Sequence, residues 1–249
     1  MRQKILIDCD GREEHLPLIL RACKEEQLDL RMVTSVFGER SSEETAASLE
    51  KELKKSNFSV PVVRGAEKAI LQKSKEESGQ KYPERKEAAE YAWDALYKEA
   101  RKSGGQLVVL TWGALTNVAV ALAKYEDLAS CIQKIIMVGG SAECGDELPF
   151  GEGNVVRDPY ACQMVFQSGI PVWMIGLDFE RRVKSFSGEQ AALLLAENPE
   201  TAELHGYWGA VETAPGPMYG RTIFDRRLHS MEKENVYLVE NLRKRSENR

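Results

Sequence analysis

Short apolar runs alternate with amphipathic stretches along most of this chain. Lys4 to Ile7 is apolar and β-branched and reads as a buried strand. Residues 13–26 follow with Leu16, Leu18, Ile19, Leu20, Ala22 and Cys23 at helical spacing, and Pro17 near the start, where a missing N–H is tolerated. The same alternation then repeats. Strands are predicted over 28–36, 60–63, 106–111, 132–138 and 170–177. Helices are predicted from Ser41 or Ser42 to Lys55, over 83–102, from about residue 112 to Lys124, from Asp158-Pro159, and from Ser187. A loop rich in glycine and carboxylates spans 142–156, and a last strand covers 235–239. Residues 67–83 have no apolar period and read as a flexible loop, and residues 240–249 as a tail. Strands alternating with helices mean an α/β fold: a mostly parallel central sheet covered on both faces by right-handed βαβ units. No repeat or linker divides the chain, so residues 1–249 are expected to form one domain.

Composition narrows the class. A chain of 249 residues that is 43% hydrophobic can bury a full core. A net charge of −5 argues against a nucleic-acid surface, and Arg243-Lys244-Arg245 reads as a solvated tail. The five cysteines are scattered, with no CxxC pair, which points to reduced thiols rather than zinc or disulfides. With no leader and no membrane-length apolar run, the expected location is the cytoplasm.

Chemistry is concentrated where the first strand ends. Asp8-Cys9-Asp10-Gly11-Arg12-Glu13-Glu14-His15 places four carboxylates within seven positions. Asp8 and Asp10, two apart on an extended chain, point the same way, and Cys9 points to the core. Clustered acids repel unless a cation sits among them or one stays protonated. In open α/β sheets ligands bind at the carboxyl ends of strands, so this cluster is the candidate floor of a metal or sugar site.

Several segments, in order, resemble the inosine–uridine-preferring nucleoside hydrolases. Asp8-Cys9-Asp10-Gly11-Arg12-Glu13-Glu14-His15 is similar to that family's opening Asp-Thr-Asp-Pro-Gly-x-Asp-Asp. Val33 to Glu39, Val62 to Ala66, Val109 to Asn117 and Met137 to Gly140 resemble its next four strand ends. Glu152-Gly153-Asn154 with Asp158-Pro159, Val165 to Met174, and Val211 to Asp225 resemble later motifs. The resemblance implies a nucleoside-hydrolase-like three-layer fold and hydrolysis of the N-glycosidic bond of a riboside. It implies calcium held by carboxylates and a backbone carbonyl, an ion suited to hard oxygen ligands. By position, Asp10 would be metal ligand and general base, with Asp8 as its support and a further ligand. The Trp112 carbonyl would complete the set, and Glu14, Glu39, Glu152 and Asn154 would hold the sugar. A homo-oligomer is also implied.

The sequence departs from the family at key places. His15 falls on the second metal-carboxylate position; neutral imidazole is a poor calcium ligand and imidazolium repels the ion. As an alternative, His15 pairs with a nearby acid and replaces the ion. Glu39 stands where the family keeps asparagine, and the His-Asp-Pro motif that supplies a last ligand is missing between Leu204 and Val211. Two other readings follow. One is a non-catalytic binding or assembly module. The other rests on Ile7-Asp8-Cys9-Asp10-Gly11, which resembles the first motif of haloacid-dehalogenase-type phosphatases, with Asp8 as nucleophile.

Overall fold

A computed structural model describes residues 2–71, 90–141, 145–146, 151–182, 188–197, 211–215 and 236–242. Gln3–Cys9 (β1) is followed by His15–Lys24 (α1), Leu28–Ser35 (β2), Ser42–Lys55 (α2), Val62–Arg64 (β3) and Ala92–Ser103 (α3). Next come Leu107–Trp112 (β4), Thr116–Lys124 (α4), a short 3-10 turn, Ile132–Val138 (β5), Gly153–Arg157 (α5) and Pro159–Gln167 (α6). Val172–Ile175 (β6), Leu177–Arg182 (α7), Gly188–Glu197 (α8), Val211–Pro215 (β7) and Val236–Leu242 (β8) complete the order. The described strands make one sheet in the order β3-β2-β1-β4-β5-β6-β8-β7, with every neighbouring pair parallel except β7 with β8.

Both faces of the sheet are buried, as the near-continuous apolar strands require. Alternation along β1 sends Ile5, Ile7 and Cys9 to the face covered by α1, α2 and α8, and Leu6 to the face covered by α3, α4 and α6. Asp8 follows Leu6 by two residues and so lies on the α4 side. The central position of β1, between β2 and β4, places its carboxyl end in the middle of the sheet edge. Asp8 pairs in register with Thr34 of β2 and Thr111 of β4.

Local signals explain most boundaries. Ser41 and Glu44 form a reciprocal capping box at the start of α2. Asp158 caps α6 through the Ala161 N–H, with Pro159 in the first turn. Gly104 ends α3 in the left-handed region.

Several boundaries differ from the sequence expectation, among them the helix expected from about residue 112, which begins at Thr116 because Trp112 still belongs to β4. The helix predicted over 83–102 starts at Ala92 as far as the described residues reach; 83–89 lie outside them. Tyr91 is extended because its ring stacks on Trp93, with centroids 4.6 Å apart. The loop predicted over 142–156 closes into α5, since the Glu152 carboxylate accepts from the Asn154 and Val155 N–H groups. The strand predicted to Leu177 stops at Ile175: the Leu177 N–H donates to the Gly140 carbonyl and turns the chain into α7, which holds Asp178. Residues 240–242, expected in the tail, belong to β8. Of the predicted loop over 67–83, only 67–71 lie among the described residues. Among those residues, no helix is long and apolar enough to cross a membrane.

Candidate active site

Asp8 is held at the end of β1 with no solvent exposure. Its Oδ1 accepts from Thr34 Oγ1 at 2.6 Å and from Asn117 Nδ2 at 2.7 Å, while Oδ2 has no hydrogen-bond partner. Burial pushes the Asp8 carboxyl up to about 6, against the pull of those two donors; the charge of Asp10 adds to the rise. Asn117, at the start of α4, is fully used. Its amide also donates to the Ser35 carbonyl at 2.9 Å, and its oxygen accepts from the Ala66 N–H at 2.8 Å. One side chain thus ties β1, β2 and the turn after β3 together. Gly65 makes this possible: a Cβ there would lie 2.2 Å from Asn117 Oδ1.

Asp10 sits just beyond β1, on the turn that Gly11 makes with φ of +75°. The Asp10 side chain has no exposure, and neither carboxylate oxygen has a hydrogen bond. Three side chains surround it instead. Arg12 Nε lies 3.4 Å and Arg157 Nη1 3.6 Å from Oδ2, and His15 Nδ1 lies 3.5 Å from Oδ1. Burial raises the Asp10 carboxyl, and the charges of His15, Arg12 and Arg157 oppose it. The Asp10 N–H donates to the Trp112 carbonyl at 3.2 Å, and Thr45 Oγ1 donates to the Asp10 carbonyl at 3.3 Å.

His15 is buried and faces Trp112, with ring centroids 5.4 Å apart. Its Nδ1 accepts from the Arg12 N–H at 3.2 Å, which requires Nδ1 without a hydrogen. The 3.5 Å approaches to Asp10 Oδ1 and, through Nε2, to Glu189 Oε1 suit an imidazolium instead. The two arrangements exclude each other.

The residues assigned to the sugar divide into two groups. Glu14 and Glu39 are exposed and line a cavity of about 320 Å³ with Asp10, Arg12 and Arg40. Glu152 and Asn154 are buried and already engaged. Glu152 accepts from the Gly140, Asn154 and Val155 N–H groups. Burial raises its carboxyl, and these donors lower it. Asn154 donates to the Val138 carbonyl at 2.9 Å and accepts from Arg157 Nη1 at 3.1 Å. Both line a second cavity of about 160 Å³ with Glu14, Asp146, Glu189 and Arg12. Arg12 and Glu14 border both cavities. Arg157, Glu189, Asn117 and Thr34 had no role in the sequence reading. Thr34 and Asn117 carried a signal there only as members of segments that resemble the family.

The described residues do not fit a calcium ion. Among them no group of three or more histidine, cysteine or acidic side chains is arranged to hold a metal. Asp10, a buried carboxylate with neither oxygen hydrogen-bonded, faces two guanidinium groups. Unit charges 4 Å apart interact by about 4 kcal/mol at an effective dielectric near 20, and a divalent ion doubles that repulsion. His15 brings no hard oxygen. The Trp112 carbonyl already accepts from Asp10.

A parallel sheet carrying buried carboxylates where its central strands end defines a class of α/β proteins with small-ligand sites at that edge. Residues 5–195 match the family model described as inosine-uridine preferring nucleoside hydrolase, and the chain belongs to that family. It is 33% identical over 220 residues to the pyrimidine-specific ribonucleoside hydrolase RihA of Photobacterium profundum, covering 82% of this chain and 71% of that protein. With the RihA of Escherichia coli O9:H4 it shares 33% identity over 196 residues, 74% of this chain and 63% of the relative. Among solved structures, the purine-preferring ribonucleoside hydrolase from Gardnerella vaginalis superposes with a TM-score of 0.73 at 22% identity, over 96% of this chain and 93% of that one. The plant nucleoside hydrolase PpNRh1 gives 0.71 at 18%, over 97% and 95%. The family match ends before the resemblance read at Val211 to Asp225, most of which lies outside the described residues. The phosphatase reading loses its ground: a nucleophile must be reached by phosphate, and Asp8 is fully buried with one oxygen committed to two donors.

Proposed function

We propose that this chain is a divergent N-ribosyl hydrolase that binds a ribonucleoside or related riboside at the carboxyl end of β1. The observation that carries the reading is Asp10, a carboxylate with no hydrogen bond on either oxygen, bordering a cavity within a nucleoside hydrolase fold. The exposed Glu14 and Glu39 supply acceptors for sugar hydroxyls on the walls of that cavity. Asp10 takes a proton from a water whose oxygen bonds to the anomeric carbon. The N-glycosidic bond breaks as that bond forms, and its electron pair leaves with the base nitrogen, which takes up a proton from solvent while Asp10 gives its own back to solvent. The developing positive charge on the sugar is stabilised by the surrounding carboxylates. Asp8, buried behind Asp10, positions it and does not meet the substrate.

RihA is pyrimidine-specific and the Gardnerella vaginalis enzyme purine-preferring, so inosine, uridine and nicotinamide riboside are the substrates to assay. Released ribose should appear with the parent protein and fall by about 10²–10⁴-fold in Asp10→Ala, the usual worth of a general base. A second reading, a non-catalytic riboside-binding or assembly module, is favoured by the packing of Arg12, Arg157 and His15 around Asp10, whose side chain has no solvent exposure. Equal background rates in parent and Asp10→Ala would establish the module and overturn the hydrolase.

A further inference from the structure

We propose that Arg12 and Arg157 are resident counter-cations of Asp10, so that this protein builds its carboxylate site without a divalent metal ion. The inference goes beyond the hydrolase reading and does not depend on it. A buried carboxylate needs compensation, by hydrogen bonds or by opposite charge. No side chain hydrogen-bonds Asp10, and besides the nearby Arg12 N–H and the His15 imidazole its compensation is charge from two guanidiniums on different elements. Arg12 comes from the turn between β1 and α1, and Arg157 from the end of α5.

The arrangement is built rather than incidental. Arg157 is fixed by its 3.1 Å bond to Asn154 Oδ1, and Asn154 is anchored by its amide on the Val138 carbonyl at the end of β5. This chain of contacts runs from the sheet to Asp10. Arg12 does more than pair with Asp10. It borders both small cavities, and Glu14, Glu152 and Glu189 also act on its charge. A cation at the meeting point of several carboxylates is the electrostatic role of a bound metal. Here a side chain of the polypeptide fills it, and a second cation of higher charge has no favourable place beside it.

The test uses the full chain and needs no turnover. The parent melting temperature should agree within about 1 °C between EDTA and millimolar calcium, whereas a ligand at 100 times its Kd would raise it by several degrees. Elemental analysis of the purified protein should find no stoichiometric divalent metal. Arg12→Leu/Arg157→Leu at neutral pH should lower the melting temperature by roughly 5–10 °C, less than a fully buried pair would because both guanidiniums are partly exposed. Adding Asp10→Asn to that variant should restore most of the loss, while Asp10→Asn alone should not stabilise the parent. If the double variant does not fold, Arg12→Gln compared with Arg12→Gln/Asp10→Asn asks the same question. One-to-one calcium, or a calcium-dependent rise of several degrees in the parent, overturns the proposal. Purely additive losses in the Asp10→Asn comparison overturn it as well.

Discussion

Asp8 is where burial and hydrogen bonding compete most directly. Two donors hold Oδ1, yet Oδ2 is buried without a partner, and desolvation wins: the carboxyl is pushed up to about 6 from 3.8. The folded state therefore binds this proton more tightly than the unfolded chain does. Its contribution to stability is complete below about pH 4 and is lost as pH rises through about 6, a change on the order of 3 kcal/mol. Asp8→Asn keeps an acceptor for Thr34 and Asn117 and removes the charge. Denaturant unfolding at acid and neutral pH should show the parent losing stability over this window and the variant losing markedly less. Identical pH slopes for the two proteins would remove Asp8 as the cause. The residue scale also shows what the sequence hides. The Asp8–Asp10 pair stands out from spacing alone, because alternation on a strand is local. Arg157 does not. It reaches Asp10 only through the fold, 147 positions along the chain, and nothing near it signals a partner.

At the scale of elements, the site depends on three strand ends and one helix start meeting at Asn117. The apolar runs made the strands and their order of appearance legible, since β1, β4, β5 and the second half of β2 are buried on both faces and mostly show it in composition. The start of α3 and the closure of α5 were not legible. They depend on a Tyr91–Trp93 stack and on a carboxylate reaching backbone N–H groups, contacts that no hydrophobic period records. Gly65 tests the junction. A methyl group there would fall within 2.4 Å of both polar atoms of Asn117 and of the Ser35 carbonyl, so the amide must move. Gly65→Ala is expected to destabilise by about 1–3 kcal/mol, as overpacking does, by loosening the bonds to Asp8, Ser35 and Ala66. Thermal unfolding checks the magnitude. A melting temperature equal to the parent's would show that the junction yields without cost.

For the whole molecule, the site and the core are one structure. The strands that end at Asp8 and Trp112 are the strands whose side chains fill both apolar layers. A ligand bound across those ends therefore stabilises the entire fold, by an amount set by its concentration relative to Kd. This separates binding from catalysis, which the fold alone cannot do. If the cavity holds a riboside, inosine or uridine at about 100 times its Kd should stabilise by about 2.7 kcal/mol. In a domain of this size that is a rise of roughly 5–10 °C. Free ribose should act in the same direction and less strongly, because it lacks the contacts of the base. Asp10→Ala should keep a shift if Glu14 and Glu39 hold the sugar, and Glu14→Ala/Glu39→Ala should lose it. A hydrolase would release ribose during the incubation, so the shift should decline with time in the parent and persist in Asp10→Ala. A binding module would hold the same shift in both. No shift with any of the three ligands at millimolar concentration would remove the riboside from the account altogether, whatever the family resemblance of the fold.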